Sequence, residues 1–242
     1  MAPPPPADES DATLAGRGQT RHRVIEAAAD LLAREGRDAV TTRAVAVAAG
    51  VQAPAIYRLF GDKEGLLEAV AEYGFTKFLA SKRVDPDPTD PVEDLRAGWD
   101  LAVEFGLANP ALYTLMYGEP STFTSPAFQA GMEILRGRIR RLAAGGWLRV
   151  GEELAVALIH ATARGAVLTW LSLPGERRDP ALLTTLRESM VTAVTVLEPA
   201  VRDAGPAGAA RALRATLPEQ TTLSGPEREL LKEWLDRLAA DG

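Results

Sequence analysis

Polar and basic side chains crowd two short helical patterns in the stretch VTTRAVAVAAGVQAPAIYRLFGDKEGLL, residues 40–67. Guanidinium and ammonium groups bind phosphate oxygens, and an arginine can also read the edge of a guanine through two hydrogen bonds. The two patterns are joined at Ala49, Gly50 and Val51. So tight a connection is typical of a helix-turn-helix, whose second helix fits the major groove of DNA. The residue types and their spacing therefore predict a DNA-contacting surface.

The second helical pattern needs an apolar side that packs on its own domain and an outer side that meets the duplex. Val51, Ile56 and Phe60 can supply the apolar side. Small outer residues allow close approach to the bases, while hydroxyl and ammonium groups at the rim can reach phosphates. A helix N-terminus also offers amide groups to a phosphate. The predicted DNA-contacting residues are Thr42, Arg43, Gln52, Ala53, Pro54, Ala55, Tyr57, Arg58 and Lys63.

Apolar residues recur with helical spacing along nearly the whole chain, which predicts an all-α fold. Four predicted helices open with a capping residue followed by proline, at Asp90-Pro91, Asn109-Pro110, Ser125-Pro126 and Asp179-Pro180. A capping side chain accepts from free amide groups, and proline lacks the amide that would stay unpaired. The predicted helices cover about 20–35, 43–49, 54–60, 62–83, 91–108, 110–117, 126–144, 152–172, 180–203, 206–216 and 226–239.

The amino-acid composition excludes some kinds of site and favours one cellular location and one kind of partner. It has 242 residues, a net charge of -6 and no cysteine, so disulfides and thiolate metal sites are excluded and a cytoplasmic location is favoured. Residues 17–83 carry eleven Lys/Arg against eight Asp/Glu, and this local positive charge favours an anionic partner at one end. His160 and Arg164 interrupt the longest apolar run, which argues against a membrane span.

The same stretch resembles the DNA-binding signature of the tetracycline-repressor (TetR) family. The matching positions are Thr42, Val45-Ala46, Ala49-Gly50-Val51, Ile56-Tyr57, Phe60 and Lys63-Glu64. Two positions depart from the family pattern: Leu59 stands where a polar residue is common, and Ala55 where threonine or serine is common. Because the second helix is then poor in hydrogen-bonding groups, direct base reading is expected from Arg43, Gln52 and Arg58.

The resemblance implies a homodimer that binds a pseudo-palindromic operator through an N-terminal three-helix head and responds to an effector in a C-terminal helical domain. We therefore expect a disordered tail over 1–16, a DNA-binding domain with its connecting helix over 17–83, and an effector-binding and dimerisation domain over 84–242. Residues 152–172 and 180–198 are expected to form the dimer bundle, although the same helices could pack within one subunit. The last helix, 226–239, could cap the pocket or extend the dimer.

An effector site in this domain would need an apolar cavity with a few polar groups. Arg164 is the most unusual residue there, because it is an arginine in an otherwise apolar helix. It could pair with a ligand carboxylate, with Asp100 or Glu104, or with the dimer partner. Taken alone, each aromatic residue is more typical of the core than of a pocket. The predicted effector is a small hydrophobic or aromatic molecule, either neutral or anionic. It would contact Trp99, Phe105, Tyr113, Met116, Tyr117, Phe128, Met132, His160 and Arg164.

Other functions fit the residues less well. No phosphate-binding loop, zinc-protease or nucleophile-elbow motif is present, so we expect no enzyme, cofactor or metal site. The acidic group Asp85, Asp87 and Asp90 is interleaved with prolines, which favours a solvated linker over a metal site. A ligand-released repressor is the preferred function. The alternatives are an activator of the same fold and a helical interaction protein that has lost DNA binding.

Overall fold

The computed structural model describes residues 8–81, 90–118, 124–196, 206–219 and 222–240. Within them the chain is helical, and its backbone divides into two compact units. The first comprises Met1–Leu79 and Asn109–Phe128, and the second Ala80–Ala108 and Gln129–Gly242. The α-helices are α1 (Asp8–Glu35), α2 (Thr42–Ala48), α3 (Ala53–Phe60), α4 (Lys63–Ser81), α5 (Pro91–Ala108), α6 (Pro110–Gly118), α7 (Pro126–Ala144), α8 (Glu152–Ser172), α9 (Ala181–Val194), α10 (Pro206–Thr216) and α11 (Gly225–Ala240).

The first unit is built on α1, which contacts α2 and α6. Phe75 of α4 lies edge-on to Tyr117 and to Phe128, with both pairs of ring centroids 5.4 Å apart. Gly74 lies so close to Met116 that a Cβ there would meet its sulfur at 2.7 Å. Helix α6 and Phe128 thus pack on α4, although the predicted boundary at residue 83 assigns them to the other domain.

The second unit joins α5 to α8 and α9, and α10 to α11. Leu95 of α5, Ile139 and Leu142 of α7, and Val167 of α8 are buried in its core. Asp94 of α5, whose side chain is only 10% exposed, binds two arginines of α7. The unit is therefore held together by apolar packing and by ion pairs between its helices.

Three of the four proline-associated helix starts are capped as the sequence predicts. Asp90 Oδ1 accepts from the amides of residues 92 and 93 at 2.8 and 3.1 Å. Ser125 Oγ accepts from the amide of residue 128 at 3.1 Å, and Asp179 Oδ1 from that of residue 181 at 2.9 Å. The side-chain oxygen of Asn109, at the fourth start, accepts from Lys77 Nζ at 3.3 Å.

Two helix limits differ from the predicted ones. α1 begins at Asp8 rather than near Thr20, so the predicted disordered tail is helical from Asp8 onward, and residues 1–7 lie outside the described part. α9 ends at Val194 rather than 203. Thr195 is extended and pairs with Leu148 as an isolated antiparallel bridge. Residues 84–89 of the predicted linker, which covers 84–91, and the end of the predicted ninth helix, 197–203, also lie outside the described residues.

Among the described helices, α8 is long and apolar enough to cross a membrane by length and composition. A core helix of a soluble protein passes the same test, so a single such helix is weak evidence for a membrane span. His160 and Arg164 both lie in its middle.

Candidate nucleic-acid interface

Local hydrogen bonds set the angle between α2 and α3. Thr41 caps α2 by accepting from the amide of Ala44 at 3.1 Å. Gly50 adopts a φ of 63°, a left-handed conformation that glycine enters at little cost. The amide of Val51 then donates to the carbonyl of Ala46 at 2.9 Å and closes the turn. α3 carries proline in its first turn and ends at a second positive-φ glycine, so both of its ends are defined locally.

The apolar sides of α2 and α3 face the core of the first unit. Val45 and Ile56 are fully buried. Val51 and Phe60, which were predicted to pack with Ile56, are only half-buried. Part of Phe60 is instead covered by Arg21, whose guanidinium carbon lies 5.2 Å from the ring centroid. Burial of these side chains leaves the opposite side of α3 free to meet a partner.

Eight of the nine predicted DNA-contacting residues lie on α2, on α3 or next to the start of α3, Lys63 is the first residue of α4, and none of the nine is buried. Half-buried positions are Thr42, Ala53, Ala55 and Lys63. The exposed positions are Arg43, Gln52, Pro54, Tyr57 and Arg58. The predicted residues are therefore accessible within the first unit, and Thr42 and Tyr57 are the two whose contact the structure records.

Thr42 and Tyr57 contact each other across the motif. Their hydroxyl oxygens are 3.3 Å apart, and either can be the donor. Tyr57 is 54% exposed, so this hydrogen bond restrains the ring while its hydroxyl stays accessible. Two groups able to contact phosphates are thereby held side by side before any partner binds.

Val47 is an exposed residue next to the predicted interface that was not predicted from the sequence. Its side chain is 78% exposed on α2, the largest exposed fraction among the large apolar side chains that the structure describes. Helical geometry could have revealed it, because Val45, Ala46 and Ala49 define the buried side of α2 and residue 47 points away from them. An exposed valine can make apolar contact with a thymine methyl group.

The residues predicted to contact an effector are divided between the two units. The first unit contains Tyr113, Met116, Tyr117 and Phe128, all buried around α4 and α6. The second contains Trp99 and Phe105, which are buried, and Met132, His160 and Arg164, which are half-buried. Asp100, one of the partners considered for Arg164, accepts two hydrogen bonds from Arg187 at 2.8 and 2.9 Å.

No metal centre accompanies these groups in the part of the chain that the structure describes. There, no cluster of three or more histidine, aspartate or glutamate side chains could hold an ion. Asp85 and Asp87 of the acidic group lie outside the described residues, while Asp90 acts as a helix cap.

Comparison with known proteins finds that the helix-turn-helix region is similar to a family of bacterial regulators. The family described as bacterial regulatory proteins, tetR family, matches residues 24–70. Over 49 residues the chain is 53% identical to the class A tetracycline repressor protein from transposon 1721 of Escherichia coli, an alignment that covers 20% of this chain and 23% of the repressor.

Similarity to other proteins extends further along the chain at lower identity. The nucleoid occlusion factor SlmA of Vibrio campbellii is 32% identical over 136 residues, which span 53% of this chain and 64% of SlmA's own length. A bacterial regulatory protein of the tetR family from Rhodococcus RHA1 has a similar fold, with a TM-score of 0.57 and 21% identity. That superposition covers 74% of this chain and 99% of the Rhodococcus protein.

Proposed function

The chain belongs to the tetR family of bacterial regulatory proteins by the signature in residues 24–70, and from this premise we propose that it is a ligand-responsive, cytoplasmic repressor of transcription. A small hydrophobic effector would release it from its operator. One observation carries the proposal: α3 buries Ile56 completely yet leaves Tyr57 and Arg58 exposed. A helix anchored on one side and polar on the other suits the major groove.

The side chains of the interface would have two roles: some would position the protein on the phosphates, and others would read the base edges. Thr42 and Tyr57, paired at 3.3 Å, and Lys63 would contact phosphates, which fix the register without carrying sequence information. Arg43 and Arg58 are exposed and would read base edges. A bidentate arginine–guanine contact discriminates by about 1–3 kcal/mol.

Homodimerisation would use the exposed side of α8. Leu154 is 54% exposed, and Ala157, Ala161 and Gly165 follow it at helical spacing, all exposed. Small side chains in a row let two helices approach closely, and a continuous apolar stripe left uncovered on a monomer marks an interaction surface. Two copies related by a twofold axis would place two heads on a pseudo-palindromic operator.

An effector would act by changing how the two heads are spaced. The half-sites of such operators lie about 34–36 Å apart, so a small change in spacing weakens both contacts together. Coupling between an effector site and a distant site is typically about 1–3 kcal/mol. The aromatic and polar residues predicted from the sequence remain the proposed contacts of a hydrophobic effector.

Binding of the protein to DNA upstream of its own gene tests the proposal. Fluorescence anisotropy should report saturable binding to a specific segment, and Arg43→Ala should weaken it by about five- to 150-fold because a guanine contact is lost. Arg34→Ala is the matched control, since Arg34 is also exposed in the first unit but lies outside the predicted interface. Equal affinity of the two variants, or no specific segment at all, would contradict the proposal.

A second candidate function follows from the alignment with SlmA, which extends well beyond residues 24–70. The protein would then bind DNA as a factor in nucleoid occlusion. In a strain that lacks the gene, septa cutting across nucleoids would favour this candidate, whereas altered transcription of neighbouring genes would favour the repressor.

A further inference from the structure

A cavity in the second unit is lined by none of the residues predicted to contact DNA or effector. Its volume is about 450 Å³, within the range of about 300–1,000 Å³ typical of small-molecule sites. Helices α7 and α8 form one side, and α10 and α11, with the turn after α10, form the other. The cavity therefore depends on the last two helices.

The lining of this cavity is positively charged in a chain that is acidic overall. Five basic and three acidic side chains line it, while the whole chain has a net charge of -6. The basic residues are Arg136, Arg140, Arg214, Arg228 and Lys232. Because the chain as a whole repels anions, this local excess favours an anionic ligand specifically here.

Ion pairs occupy some of the basic residues of the lining but not all of them. Arg136 pairs with Glu133 outside the lining, and the lining residue Glu153 is exposed. Glu152, only 16% exposed, binds Arg214 at 2.7 Å, and Arg214 also pairs with Asp236 outside the lining. Glu229 lies 3.9 Å from Lys232, and both are exposed, so their attraction is weak. Arg140 forms no ion pair with any of the described residues. Arg140 and Lys232 therefore retain most of their capacity to bind an anion.

The inner wall of the cavity is apolar. Ile139 is fully buried, and Val156 and Leu217 are at most 5% exposed. A cationic rim above an aliphatic wall matches a molecule that has a charged head and an apolar body, because each part then meets groups of its own kind. An inorganic anion would leave the apolar wall unused.

We propose that the cavity between α7, α8, α10 and α11 binds an organic anion, through Arg140 and Lys232 at its head and through the aliphatic wall at its body. Such a ligand would bridge α7 and α8 to the last two helices. A role for it as an effector rests on the proposed function, whereas the binding itself does not.

Titration with the fluorescent organic anion 8-anilinonaphthalene-1-sulfonate tests the site. Saturable binding to the wild-type protein is expected. The double variant Arg140→Gln/Lys232→Gln should bind about tenfold more weakly, since two charged contacts are lost. The matched control, Arg177→Gln/Arg237→Gln, removes the same charge from exposed positions outside the lining and should bind as the wild type does.

Competition separates recognition of charge from general affinity for aromatic rings. 2-Naphthoate should displace the probe, and 2-naphthamide, which has the same rings without the charge, should displace it far less. Equal binding by both double variants, equal displacement by both competitors, or no binding to the wild type up to about 1 mM probe would overturn the proposal.

Measuring DNA binding by the wild type and the double variants, without ligand, tests the repressor function separately from the anion site. The cavity variants should bind DNA as the wild type does, because neither residue belongs to the first unit. A wild-type protein that binds the anion but no specific DNA would refute the repressor and leave this site standing.

Discussion

A single glycine makes room for the most buried arginine of the second unit. Arg138 is 6% exposed and donates from Nε to Asp94 Oδ2 at 3.1 Å, and Arg141 Nη2 reaches the same oxygen at 3.0 Å. A Cβ at residue 98 would lie 2.3 Å from Arg138 Nη1. The absence of a side chain at Gly98 is therefore what lets this guanidinium lie against α5.

Substituting Gly98→Ala should destabilise the protein by about 1–3 kcal/mol, because the added methyl group displaces a guanidinium that its ion pair holds in place. Urea denaturation measures the loss. Gly137→Ala on α7 is the control: a Cβ there meets nothing nearer than 3.9 Å, so alanine's higher helix propensity should leave stability unchanged or raised. If Gly98→Ala leaves the free energy of unfolding unchanged, Arg138 moves aside at little cost.

Between elements, an ion-pair network joins α5 to α9. Glu188 accepts from Arg96 Nη2 at 3.1 Å and from Arg187 Nε at 2.8 Å. The pKa of Glu188 is lowered from its ordinary value of 4.5, chiefly by the hydrogen bond from Arg96 and further by that from Arg187. Since the folded state holds this carboxyl at the lower pKa, its contribution is complete above about 4.5 and is lost as the pH falls through the folded value.

Glu188→Gln should accordingly be less stable than the wild type at pH 7. The difference should be smaller at about pH 3, below the ordinary pKa of 4.5, because the unfolded state takes up a proton there that the folded ion pair resists. Thermal unfolding at the two pH values gives the comparison. Glu104→Gln, which removes an exposed carboxylate from α5, should not reproduce this pH-dependent difference. An equal difference in stability between the two proteins at both pH values would show that Glu188 acts through its shape rather than its charge.

The sequence predicted helix positions well where the signal was local. The limits of α5, α7, α8 and α10 agree with the predicted ones, because a cap, a proline or a glycine next to each helix determines them. The end of α9 could not be found in this way. It depends on backbone hydrogen bonds with a distant strand-like segment, in which the amide of Arg149 donates to Val194 and that of Val196 to Trp147, both at 2.9 Å.

The candidate interface was predictable for a related reason. The helix-turn-helix is a short motif whose turn, caps and exposed side chains all lie within residues 41–63, so its surface follows from local spacing. The Arg138–Asp94 pair and the charged cavity join residues far apart in the chain. No local pattern specifies which distant residues will meet, and neither feature was anticipated.

At the scale of the whole molecule, the proposed dimer makes the small residues of α8 critical. Ala161→Arg places a long charged side chain in the middle of the exposed stripe, so it should shift the protein from dimer to monomer and weaken operator binding. Light scattering after size-exclusion chromatography measures the mass. Ala130→Arg, at an exposed position on α7, should remain dimeric. A dimeric Ala161→Arg would place the interface elsewhere.

The contact of Phe75 with Tyr117 and Phe128 has a practical consequence for dissecting the protein. Because the chain leaves the first unit after Leu79 and returns to it at Asn109, no single cut separates the two units. A fragment ending at residue 83 would keep the helix-turn-helix but deprive Phe75 of both aromatic neighbours. Such a fragment would expose the apolar side of α4 and tend to aggregate, whereas one that reached residue 128 would retain both rings.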